Sequence, residues 1–245
     1  MQNPYFEDVI EKCTDVSFLD RVRGRYHYPV AERERLKEVA ESVRACARKE
    51  ALWSHEVTEH ATCWGEAYSV VAMTLGGGVD ALQESFLTQG LLSESYMIEV
   101  LGSEILFEGY EAYNRMVAER GIYHVSRFYF LDDIAGREMR EDRKNGKHGA
   151  NNDAPDLSLQ NLPEILKRLN MPVTCNEAFC MTPRKSVVFY AALKKGADGA
   201  CPGICTDCGS INCPNRIEVK PHEGFRLADM IDRPLPYGYA RILGK

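Results

Sequence analysis

Nowhere does the sequence hold an uninterrupted apolar run approaching the roughly 20 residues that a membrane-spanning helix needs. Its first residues, MQNPYFEDVIEKC, carry acidic side chains where a secretory signal would place a basic and then an apolar stretch. No membrane association is expected, and the compartment is expected to be the cytoplasm. No long block of lysine and arginine occurs either. Lys plus Arg number 30 against 36 for Asp plus Glu, a formal net charge of −6, which disfavours a nucleic-acid partner. The phosphate-cradling patterns G-x-x-x-x-G-K-S/T and G-x-G-x-x-G are missing, so Gly76-Gly77-Gly78 after an apolar run is not expected to bind a nucleotide. Neither a Ser-His-Asp arrangement nor a pair of carboxylates stands out as an active site.

Cysteine, by contrast, is plentiful, at nine residues. In a reducing compartment that number is better explained by metal ligation or buried thiols than by disulfides. Four of the nine fall in CPGICTDCGSINC, where Cys201, Cys205, Cys208 and Cys213 follow C-x3-C-x2-C-x4-C. Pro202, Gly203 and Gly209 let the backbone turn tightly around a common centre. Zinc commonly takes two Cys pairs held apart by a long spacer, which is absent. Closely spaced thiols on one loop suit the separate irons of a cluster, and Cys213-Pro214 matches the end of many ferredoxin runs. A [4Fe-4S] cluster is the expectation; zinc and unligated thiols are the alternatives, and Cys175 and Cys180 are reserve ligands.

At 245 residues and 44% hydrophobic, the chain can bury a substantial core. Residues 1–30 show no sustained period and read as an arm packed on the body. From Ala31 to Ala51 the positions Leu36, Val39, Ala40, Val43 and Ala47 recur at helical spacing. His55, Glu56, Glu59, His60 and Cys63 suggest a metal site, but His-x4-His lacks the i, i+4 offset of helical ligands, so a solvated connection is expected. Ala67–Leu75 reads as a buried strand, and Val79–Phe86 and Ser93–Arg120 as helices. On the longer one, Gly102, Ser103 and Gly109 allow a neighbour to approach closely.

Ile122–Leu131 is a second expected strand. Ile134–Asp156, with Asn145-Gly146 and Asn151-Asn152-Asp153, reads as an exposed loop. Ser158 can cap a helix running to Leu169, with Pro163 in its first turns. Val173–Cys180 and Ser186–Leu193 read as strands joined by a turn at Met181–Lys185. Ile217 and Val219 suggest a last short strand, and Phe225–Ile231 a helical turn. Helices and strands mix without regular alternation, which predicts an α+β fold. The expected division is a body over residues 1–195 and a cysteine-rich segment over 196–245.

Several segments resemble the reactivation domain of cobalamin-dependent methionine synthase, and more closely its free-standing, cysteine-tailed relatives. They are Val71-Ala72-Met73-Thr74-Leu75-Gly76, the long helix carrying Gly102-Ser103, and Pro155-Asp156-Leu157-Ser158-Leu159-Gln160. With them go Met181-Thr182-Pro183-Arg184-Lys185-Ser186-Val187, Cys205-Thr206-Asp207-Cys208 and Cys213-Pro214-Asn215-Arg216. The resemblance implies an antiparallel sheet with flanking helices, S-adenosylmethionine binding, and docking on a corrinoid protein to recover cobalt from the cob(II)alamin state. The family's ligand loop reads close to Arg-x-Ser-Pro-Gly-Tyr-Gly-Asp, whereas this chain has Lys147, Asn151 and Asn152 at the corresponding contact positions. A lysine point charge lacks the arginine fork, so S-adenosylmethionine is expected to bind weakly or not at all. The function implied is reductive reactivation of a cobalamin-dependent methyltransferase such as methionine synthase, through an iron-sulfur cluster. The alternative is a non-catalytic docking protein with a structural zinc loop.

Overall fold

The computed structural model describes residues 3–132 and 154–196. The chain opens with α1 (Pro4–Lys12) and α2 (Val16–Arg25), then a 3-10 turn at Val30–Glu32 that leads into α3 (Arg33–Glu50). There follow β1 (Leu52–Thr58), β2 (Ala67–Thr74), α4 (Gly77–Thr88), α5 (Leu92–Glu119) and β3 (Tyr123–Phe130). After residue 153 come a 3-10 turn at Leu159–Asn161, α6 (Leu162–Arg168), the short strands β4 (Thr174–Cys175) and β5 (Met181–Thr182), and β6 (Ser186–Lys195). The fold is α+β. Its main sheet has the order β1-β2-β6-β3, every neighbouring pair being antiparallel, while β4 and β5 form a separate hairpin.

Alternation along the central strands builds two cores. Val71 and Met73 of β2, with Phe189, Ala191 and Leu193 of β6, face the large helical layer, where Met97, Ile98, Leu101, Ile105 and Tyr113 of α5 lie fully buried. Val70, Ala72, Val188, Tyr190 and Ala192 point the other way and are covered by Leu162, Ile165 and Leu166 of α6. Both faces of β2 are covered, which is why it reads as a continuous apolar run rather than an alternating one. In β3 the register shifts between Val125 and Arg127, leaving Ser126 as the extra residue. That bulge keeps Val125 and Phe128, three apart, on the same helix-facing side.

The N-terminal arm is more regular than its sequence suggested, being two helices. Phe6, Val9, Ile10 and Cys13 form an i, i+3, i+4, i+7 stripe, and Asn3 caps α1 by accepting from Tyr5 N at 3.0 Å. The arm is tied to α5 by charge: Arg21 meets Glu108 at 2.6 Å, and Arg25 reaches the buried Glu104 carboxylate at 2.5 and 2.7 Å.

Three further expectations need correction. Of the group expected in a solvated connection, Glu59, His60 and Cys63 do lie exposed between β1 and β2, but His55 and Glu56 belong to Leu52–Thr58, which pairs with β2 as an edge strand. The expected strand Val173–Cys180 stops at Cys175, where the Asn176 side chain accepts from Ala178 N and Cys180 N and turns the chain. Met181 and Thr182, expected in the turn, are the return strand. The elements expected at Ile217–Val219 and Phe225–Ile231, most of the loop 134–156 and the whole segment 196–245 except Gly196 lie outside the described residues.

Candidate functional site

Three segments far apart in sequence meet at one corner of the sheet. The end of β2, Thr74-Leu75-Gly76, lies against the turn Thr182–Ser186 that opens β6, and that turn is held by α4 and α5. Leu75 N donates to Lys185 O at 2.9 Å. The Ser186 hydroxyl lies 2.8 Å from the Thr74 hydroxyl and 2.7 Å from Pro183 O. Ser186 Oγ is the donor toward both, its one proton shared between the Thr74 hydroxyl and the Pro183 carbonyl. Thr74 Oγ1 in turn accepts from Gly76 N at 3.1 Å. The Thr182–Pro183 peptide is cis.

The basic pair in the turn is fully engaged. Arg184 N donates to Asp80 Oδ2 at 2.7 Å, and its guanidinium reaches Gln83 Oε1 at 3.3 Å. Lys185, buried, bonds Glu99 and the Ser103 hydroxyl, the latter at 3.0 Å. Its stem runs over Gly102, where a Cβ would stand 3.0 Å from the Lys185 Cδ, so the small residue on α5 admits the lysine. For Glu99 partial burial pushes the carboxyl upward, but the Lys185 hydrogen bond and charge outweigh it and hold the group below its usual value. These bonds tie the turn to α5 and brace the corner.

The triple glycine has a structural explanation. Glu50, the last residue of α3, places its carboxylate on the first turn of α4 and accepts from Gly78 N at 2.8 Å. A negative side chain there satisfies the amide and complements the helix dipole. Gly76 has φ +85°, and a Cβ on it would come within 2.2 Å of the Glu50 Cβ. The Glu50 carboxylate thus takes up the Gly78 amide, and its stem requires that Gly76 carry no side chain.

The His55 group does not converge on a metal. His55 sits on the helix-facing side of β1 against the rings of Trp53 and Tyr113, at 6.2 and 5.9 Å between centroids. Burial, aided by the Arg120 charge, lowers its pKa and favours the neutral ring. Glu56, the next residue along the strand, instead pairs with Arg168 of α6 at 3.0 Å. Cys175 lies opposite Met181 in the hairpin, and Cys180, in the turn before it, accepts through its carbonyl from Asn176 N at 3.2 Å. Among the described residues no group of three or more His, Cys, Asp or Glu can hold a metal ion.

On the face covered by α6, Trp64 stacks on Tyr129 at 4.2 Å and meets Tyr190 and Tyr68 edge-on, at 5.9 and 6.1 Å. Arg127 lies over the Tyr129 ring at 5.0 Å. Burial pushes the Tyr190 hydroxyl up to about 12, against the opposing pull of Arg168. No local pattern in the sequence marks this cluster. The aromatic residues Tyr68, Tyr129 and Tyr190 fall on one face only once the strand register is known.

Lys147, Asn151 and Asn152, and Cys201, Cys205, Cys208 and Cys213, lie outside the described residues, but the points where their segments join the body are defined. Asp132 N donates to Leu157 O at 2.7 Å, closing the base of the first segment near the Phe130 end of β3. Gly196 N donates to Ile122 O at 3.3 Å, and Gly196 O lies 2.8 Å from His124 Nδ1, at the start of β3. Phe130 pairs with Phe189 and Tyr123 with Lys195. Six residue steps of β6 therefore separate the two attachment points, about 20 Å at strand rise.

Among the described residues no helix is long and apolar enough to cross a membrane. No protein-family model matches the sequence, and no curated protein matches it. One solved structure with a likeness to the chain is the MetH reactivation domain bound to AdoHcy. The match covers 56% of this chain and 42% of that one, at 17% identity and a TM-score of 0.31. The chain thus spans less than half the length of that structure.

Proposed function

We propose that this chain is an accessory protein of corrinoid chemistry, promoting the reductive return of a cobalamin-dependent methyltransferase such as methionine synthase to its active state. One observation supports it above the others. Three of the segments that resemble the reactivation family, Thr74-Leu75-Gly76, Gly102-Ser103 and Thr182–Ser186, are bonded together at one corner. Chance matches would fall at unrelated places, whereas a shared core brings its pieces into contact.

The donor set Cys201, Cys205, Cys208 and Cys213 suits a [4Fe-4S] cluster by its chemistry, four thiolates closely spaced on one segment. Bound there, such a cluster supplies a low-potential electron, about −400 mV for ordinary ferredoxins and down to about −700 mV at the extreme. The chain's own part is to ligate it and to dock on the corrinoid protein. Its net charge of −6 offers no generic attraction, so specificity must come from shape and local contacts. S-adenosylmethionine has a minor place, since Lys147, Asn151 and Asn152 replace the family's arginine and Gly-Tyr contacts.

The test has two arms on protein purified without oxygen. Iron, sulfide and zinc are measured on the wild type and on each single Cys→Ser variant of the four; iron with sulfide in the wild type, lost in the variants, is expected. The cob(II)alamin spectrum of a corrinoid protein is then followed with a chemical reductant, with and without this chain. Faster decay and a complex on gel filtration are expected. Equal rates and no complex overturn the accessory function, and zinc in place of iron returns the cysteine segment to a structural role.

A further inference from the structure

We draw no further inference here: the strongest candidate, the exposed apolar patch comprising Val30, Leu92 and Tyr96 beside the Tyr28 hydroxyl at the N-terminal end of α5, carries nothing because nothing in the structure shows what covers it.

Discussion

Replacing Arg25 by methionine removes the partner of a carboxylate that has almost no access to water. The Glu104 side chain is 2% exposed and that of Arg25 15%, and after the change only the Tyr26 hydroxyl, at 3.1 Å, still donates to the carboxylate. Breaking one side of a buried pair costs about 3–5 kcal/mol, because a desolvated charge is left behind. Against a total stability of about 5–15 kcal/mol, that is a large fraction. The neighbouring pair Arg21–Glu108 has side chains 41% and 39% exposed, so Arg21→Ala should cost less than about 1 kcal/mol. The double variant Arg25→Met, Glu104→Leu removes the stranded charge and should recover most of the loss. Urea unfolding followed by fluorescence is the assay, and the two tryptophans suit it. Trp53 is buried in the core under the large helices and Trp64 in the core under α6, so each face has its own reporter. The reasoning is refuted if Arg25→Met costs no more than Arg21→Ala, or if the double variant is no more stable than the single one.

A second prediction concerns pH. The folded state lowers the pKa of His55 from 6.5 through burial and the Arg120 charge, so its contribution is present above about pH 6.5 and is lost as pH falls below it. His55→Gln should flatten that part of the stability profile, and an unchanged slope between pH 7.5 and 5.5 would count against it. Gly76→Ala, with φ +85° and a Cβ 2.2 Å from Glu50, should cost about 2–5 kcal/mol by adding backbone strain to overpacking. Gly90→Ala, with φ +76° but open space, should cost only about 1–2 kcal/mol, and equal losses in the two would remove the Glu50 explanation. Cys13 is fully buried and its thiol is pushed up to about 12, chiefly by that burial, so peptide-resolved alkylation should modify the exposed Cys180 long before it. Early labelling of Cys13 in the native protein would show that α1 opens on its own.

The long periodic elements were legible in the sequence because their signal is strong and local. α3, β2, α5 and β6 lie close to where hydrophobic spacing places them. The arm is hard to read although Phe6, Val9, Ile10 and Cys13 keep helical spacing, because a nine-residue helix repeats its pattern for only about two and a half turns. β1 hides for a different reason. As an edge strand it buries only Trp53 fully while exposing Glu56 and Val57, so its alternation is blurred and His55 and Glu56 stand out as polar. The motif segments at the sheet corner were visible one by one. Their contacts were not, since Arg184 meets Asp80 across 104 residues and Lys185 meets Ser103 across 82, and no local pattern announces a pairing at such distance.

The described residues use several of their charges to join one element to another. Glu104 is taken by Arg25, Glu94 by Arg35 and Lys185 by Glu99, and the helix end at Gly78 is filled by Glu50. Each of these groups joins two elements, arm to α5, α3 to α5, turn to α5 and α3 to α4. Of these, Glu104, Glu94 and Lys185 are the buried members, and removing the partner of a buried charge costs more than removing that of an exposed one. The tyrosines of the interior are held protonated, Tyr113 and Tyr190 both pushed up to about 12 by burial. The segments 133–153 and 197–245 join the body at opposite ends of β3, the first beyond Phe130, whose partner Phe189 lies three residues along β6 from the Thr74–Ser186 pair.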